Sequence, residues 1–253
     1  MSGLGYGMDV LVTWGRRAIP SRLWMGMRRF RDATHCRAAK RTSLAPGSLV
    51  GKHSQVLGWR SVKLGRNAVV GDGAVLNVNH RGRNSVQIAV GHSSFVGARS
   101  FFSPAELIEI GAFALVGIDC KFLGAGHLYS DPMKPYIATG TSTEGRMVIG
   151  TNCWLGVGVT VLGSVTIGHG SVIGANSFVR SNIPPFSIAI GDPARVIRRY
   201  DPIGRDWVAT DQFTPEMDAA LPDPESYLAA LEAQHPNLAI PVLAAGPSQG
   251  DLP

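Results

Sequence analysis

The chain has 253 residues, 31 of them glycine, with 8% aromatic content and a formal net charge of +6. Few aromatics and many glycines disfavour a globule built on a large aromatic core, and no apolar run approaches the roughly 20 residues of a membrane span. The charge is segmental: residues 1–45 hold nine Lys/Arg against two acids, residues 46–199 fourteen against seven, and residues 200–253 only Arg205 against nine acids. No nucleic-acid-binding module accompanies the basic residues, so nucleic acid is not an expected partner.

Residues 1–45 read as a basic helical extension. In Trp14 to Arg31, WGRRAIPSRLWMGMRRFR, the apolar Trp14, Ile19, Leu23, Trp24, Met27 and Phe30 alternate with six arginines. A helix of this kind can lie on an anionic membrane surface; the alternative is one that packs on the following domain or on a neighbouring subunit. This arginine-rich start lacks the apolar centre of a secretory signal, so a cytoplasmic location is expected, peripheral to the inner face of the membrane if the first reading holds.

A repeat starts near Val50 and is clearest from Ile149 to Val179, which cuts into IGTNCW LGVGVT VLGSVT IGHGSV IGANSF V. Aliphatics fall every six residues at Ile149, Leu155, Val161, Ile167, Ile173 and Val179, a step that fits neither an amphipathic helix nor an alternating strand. Glycine follows four of them, where it is expected to turn the backbone at positive φ. Small residues stand four positions on, at Cys153, Val159, Val165, Ser171 and Ser177, so each unit is one short strand and one corner with two residues facing inward. Such units bury their apolar side chains only by winding into a stacked solenoid.

Upstream the same register is seen at Val50, Val56, Leu64, Val70, Leu76, Val90, Val96, Phe102, Ile110, Val116 and Phe122. The steps from Val56 to Leu64 and from Phe102 to Ile110 are eight residues, and Leu76 to Val90 contains the polar insertion NVNHRGRNS. The longest break, residues 123–148, has no six-residue period and carries Pro132 and Pro135; long loops in a regular scaffold tend to be functional or disordered. Cys120 and Cys153 sit at small inward positions, and the three cysteines cannot all pair, which suits a reducing compartment. After Tyr200 the period ends; residues 201–253 hold eight prolines, with a helical stretch at Glu225 to Gln234 and disorder expected from about Ala244.

The repeat resembles that of the hexapeptide-repeat acyltransferases, and VIGANSFVRSNIPPFSIAIGDPARVIRRY (Val172 to Tyr200) is similar to the closing segment of their sugar O-acetyltransferases. The resemblance covers residues 50–200. It implies an all-β fold, a left-handed parallel β-helix over residues 46–200 between the two extensions, assembled as a homotrimer with active sites between subunits. It implies acetyl-CoA as donor and a sugar or a cell-envelope or capsular glycan precursor as acceptor; no metal is expected, because no second histidine lies within a few residues of His127. His127, in GAGH ahead of the loop, stands where the family's catalytic histidine would be, with Trp154 in NCWLG on the next coil.

A neutral imidazole suits the removal of a hydroxyl proton, so His127 is the candidate general base for direct transfer without an acyl-enzyme. The resemblance further implies CoA contacts from Trp154, Val157, Ala175, Arg180, Ser181, Arg195 and Arg198, the arginines being matched to phosphate. Ser181 departs from the family, which often has Lys there. Asp119 and Asp131 are alternatives for orienting His127. His53, His92 and His169 read as corner residues, and His80 lies in the polar insertion, within possible reach of an acceptor. An N-acetyltransferase on an amino sugar is the alternative chemistry. The short sequence ahead of the repeat argues against a serine-type acetyltransferase, and a non-catalytic scaffold has no need of His127, the loop or PARVIRR.

Overall fold

The computed structural model describes residues 40–81, 85–236, 238 and 240, and those from Ser43 onward belong to one compact unit. The basic stretch 14–31 and the tail from Ala244 lie outside the described residues. Among the described residues no helix is long and apolar enough to cross a membrane.

Each six-residue unit forms a short strand and a corner, and three strands complete one turn of a left-handed parallel β-helix. The prism has three faces, visited in the order I, II, III. Face I contains Leu49–Val50, Val69–Val70, Phe95–Val96, Leu115–Val116, Trp154–Leu155 and Val172–Ile173; face II runs from Gln55–Leu57 to Phe178–Val179, and face III from Val62–Leu64 to Thr166–Ile167. Every strand pairs in parallel with the one a full coil away. The repeat aliphatics from Ile149 to Val179 are at most 1% exposed, and so in effect are the small residues between them, from Cys153 to Ser177, at 2% or less. Phe102 and Phe122 stack at 4.6 Å in the core. The inward serines bridge coils: Ser94 Oγ donates to Gly111 O and accepts from Ala114 N, and Ser171 does the same with Pro184 O and Ser187 N. A hydroxyl so satisfied avoids the cost of an unpaired buried polar group.

The role of the repeat glycines differs from the sequence expectation. The glycine after each aliphatic is not at positive φ. A Cβ there would meet the backbone of the next coil: 2.5 Å from His169 N at Gly150, 2.6 Å from Ala175 N at Gly156 and 2.3 Å from Pro185 N at Gly168. Close approach between coils is therefore what demands glycine. The left-handed residue comes two positions later, at His53, Asn67, Ser93, Arg99, Phe113, Asp119, Asn152 and Asn176, with φ from 54° to 61°. Asn and Asp tolerate this conformation better than most residues, which explains part of that set.

These regular corners occupy the edges between faces I and II and between faces III and I. The edge between faces II and III absorbs every surplus residue. Trp154 pairs with Val172, 18 residues on. Leu49 pairs with Val69, 20 on, because the 3-10 turn Trp59–Ser61 enlarges the II/III corner. Val69 to Phe95 spans 26 through the polar insertion, and Leu115 to Trp154 spans 39 through the long loop.

Past the last hexapeptide, Ser187–Gly191 takes the next parallel place on face I, and the chain then reverses into the antiparallel strands Ala194–Asp201 and Asp206–Ala209. The helix Pro224–Gln234, capped by Asp223 Oδ1, lies along edge III/I. There Tyr227 packs on Phe186 and hydrogen-bonds Asn152, Pro222 O bonds the buried His169, and Glu232 lies 2.9 Å from His92 Nε2. His169 thus ties the C-terminal segment to the coil, and Glu232 lies alongside His92.

Gly168→Ala should lower stability by about 1–3 kcal/mol, the cost of overpacking a rigid site, whereas Gly126→Ala, with nothing within 4 Å of its Cβ, should stay within about 0.5 kcal/mol. Urea melts of both variants check the contrast.

Candidate active site

His127 is carried on the II/III edge by a loop whose base is a two-stranded stem. Leu128 N donates to Gly140 O at 3.1 Å, Ser142 N donates to Gly126 O at 2.8 Å, and His127 pairs with Thr141 between them. Ser142 Oγ accepts from Gly126 N at 3.0 Å. The stem is tied to the preceding coil, where Ser103 O accepts from both Gly124 N and Ala125 N at 2.9 Å. The sequence contains no period that would reveal this stem, and Ser142 escaped the sequence reading for that reason.

His127 is exposed and its imidazole makes no hydrogen bond to a described residue. It lines an open cleft of about 610 Å³ with Leu123, Gly124, Tyr129, Ser142, Leu162 and Gly163. Leu123 and Leu162 are register partners on face II, so two coils form the floor. Leu162 was findable from the hexapeptide register, as the outward neighbour of Val161.

Neither aspartate considered for orienting His127 does so. Asp119 is on edge I/II and accepts from Arg99 Nε and Nη2 at 2.8 and 2.7 Å, which holds its carboxyl below the usual range. Asp131 Oδ1 accepts from Met133 N at 3.0 Å, and Oδ2 lies 3.4 Å from Lys134 Nζ.

The residues assigned to CoA divide between two edges. Trp154 points outward from face I, 54% exposed, between Leu115 and Val172. Val157 and Ala175 are exposed on successive coils of edge I/II, and Arg195, exposed and opposite Ile190, stands at the upper end of that edge. Arg180 and Ser181 are exposed on edge II/III, on the side of His127. Arg198 differs from Arg195 in that its Nη1 donates to Trp207 O at 3.0 Å. Arg199 is paired with Asp218 at 2.9 Å and lies 4.2 Å from the Phe213 ring centroid. A single chain thus leaves His127 and the Trp154, Val157, Ala175 and Arg195 group on opposite sides of face II.

The bacterial transferase hexapeptide (six repeats) family model matches residues 146–181. A Staphylococcus aureus protein named as an acetyltransferase, SACOL2570, is 38% identical over 111 residues, covering 37% of this chain and 56% of its own length. WbbJ of Escherichia coli, named as a lipopolysaccharide biosynthesis O-acetyl transferase, is 34% identical over 147 residues, 56% of this chain and 73% of WbbJ. The chain belongs to the hexapeptide-repeat acetyltransferase family. It spans little more than half the length of the staphylococcal relatives it matches. The N-acyltransferase AntD of Bacillus cereus, solved with dTDP and 3-hydroxybutyryl-CoA, shares the fold, with TM-score 0.55, 20% identity and coverage of 66% of this chain and 90% of AntD.

In this member of the hexapeptide-repeat family the described cysteines are poor nucleophiles. Burial pushes the Cys120 thiol up to about 11 and the Cys153 thiol to about 12. Since the thiolate is the reactive form, a disulfide reagent at pH 8 should label neither residue in the folded protein and both after unfolding. Peptide mapping of the labelled sites separates them from Cys36.

Proposed function

We propose that this chain transfers an acetyl group from acetyl-CoA to a hydroxyl of a sugar or of a cell-envelope or capsular glycan precursor. The observation that carries the reading is His127, held on a hydrogen-bonded stem at the rim of an open cleft floored by two coils. The E. coli relative named as an O-acetyl transferase supports oxygen as the acceptor atom. A neutral imidazole takes the proton as the acceptor oxygen attacks the thioester carbonyl, and the imidazolium returns it to the departing CoA sulfur. No acyl-enzyme forms in this scheme, in keeping with the buried, weakly acidic Cys120 and Cys153.

The donor would lie along edge I/II, with Trp154 beside the thioester end, Val157 and Ala175 along the pantetheine arm, and Arg195 and Arg198 toward phosphate; Arg180 and Ser181 would meet it from edge II/III. A homotrimer would bring His127 of one copy against edge I/II of the next, which accounts for the division of these residues within one chain. The exposed apolar residues of face I, Leu49, Leu115 and Trp154, suit such an assembly. Acetyl-CoA as donor is in keeping with a cytoplasmic reaction, and the basic, aromatic composition of residues 14–31 is in keeping with an anionic membrane face as a partner.

His127→Ala should lower turnover by roughly 10²- to 10⁴-fold with an unchanged melting temperature, because the ring is exposed; wild-type turnover in this variant would remove the base assignment. Alkaline hydroxylamine should strip acetyl from the product if an ester has formed, whereas a product resistant under these conditions would indicate transfer to nitrogen. By calorimetry, Arg195→Ala should weaken acetyl-CoA binding about tenfold, the loss expected for one charge-assisted hydrogen bond. Arg198→Ala should cost less, since its guanidinium already serves Trp207 O. No binding by the wild-type protein would favour the scaffold reading.

A further inference from the structure

The polar insertion after Asn77 reaches the loop that carries His127, although it leaves the β-helix two coils earlier. It is fixed at its root. Gln87 is completely buried, and its Nε2 donates to His80 O at 2.8 Å. Asn79 Nδ2 donates to Ser103 Oγ and Pro104 O, both at 3.0 Å, and its Oδ1 accepts from Asn77 Nδ2 at 2.9 Å. The insertion is thereby fastened to the intervening coil, at the same Ser103 whose carbonyl receives the loop's Gly124 and Ala125.

From this anchored backbone the His80 ring extends to the loop, with Nε2 at 2.9 Å from Ser142 O. A carbonyl oxygen only accepts, so Nε2 carries the proton and the bond holds for the neutral and the protonated ring alike. Ser142 in turn binds Gly126 through its backbone N–H and its hydroxyl. The bonds form a continuous path from a buried glutamine, through His80 and Ser142, to Gly126, the residue preceding His127.

We infer that His80 is a positioning residue, whose Nε2–H fixes the stem of the loop and with it the imidazole of His127 over the cleft. This rests on the reading of His127 as the base. His80 neither exchanges a proton in the reaction nor touches the donor. Beside this bond the stem is held by its own short ladder and by the Ser103 carbonyl, and misplacement of a reacting group by about 1 Å can cost 10²-fold in rate.

The test compares His80→Ala and His80→Gln in the full chain, the glutamine amide restoring an N–H donor. For His80→Ala, kcat should fall roughly 5- to 100-fold, with KM for acetyl-CoA within about twofold of wild type and the pH profile of kcat/KM unmoved. His80→Gln should recover most of the loss. Hydrogen–deuterium exchange at the Leu128 and Ser142 amides should accelerate in His80→Ala and return toward wild type in His80→Gln. Unchanged exchange in His80→Ala overturns the inference whatever the activity, as does equal loss of kcat in both variants or a shifted pH profile. Full turnover by His127→Ala would instead remove the base assignment, while the exchange data would still decide whether His80 braces the stem.

Discussion

Backbone lying against backbone at the glycine corners is the contact on which the remaining structure depends. Successive coils of a parallel β-helix stack at about 4.8 Å, and at Gly150, Gly156 and Gly168 that spacing leaves no room for a Cβ. Two edges of the prism are fixed by this contact together with the left-handed residue two positions later. An extra residue at such a corner would separate the coils and break the pairing above and below. The II/III edge is free of the constraint, so the enlarged corner at Trp59–Ser61, the polar insertion and the His127 loop all emerge there.

Confining the insertions to one edge has a chemical consequence. Segments far apart in the chain become neighbours because they leave the same edge at different heights. Ser103, His80 and Ser142 come from three coils, yet their hydrogen bonds converge on the stem of the His127 loop. The regular coils provide a stiff base, and the irregular edge provides a surface where polar side chains can be arranged without disturbing the core. In the proposed reaction the donor would lie on the opposite edge of face II, and the meeting of two copies would be part of the chemistry.

The opposite end of the chain shows how the solenoid is closed. A parallel coil always exposes unpaired strand groups at its last turn, and an open edge invites association. Here face I is continued by Ser187–Gly191 and then by an antiparallel hairpin. The helix Pro224–Gln234 descends along edge III/I, using His169 and His92 from coils below. Two histidines that the sequence places at corners of the repeat therefore also meet the C-terminal segment.

The six-residue spacing of aliphatics in the sequence was sufficient to determine the solenoid, its register from Val50 to Val179 and its two inward residues per unit, because each of these follows from local periodicity. It also located the enlarged corners, since a step of eight or fourteen interrupts the count. The sequence alone assigned the glycines the wrong role, because close approach is a relation between residues a full coil apart, which local propensity does not contain. Only the tertiary structure decided the stem at Gly126 and Ser142, the pairing of Asp119 with Arg99 rather than His127, and the reach of His80 across a coil. Each is a hydrogen bond or ion pair between segments whose separation depends on the size of the intervening insertions, and no repeat encodes that distance.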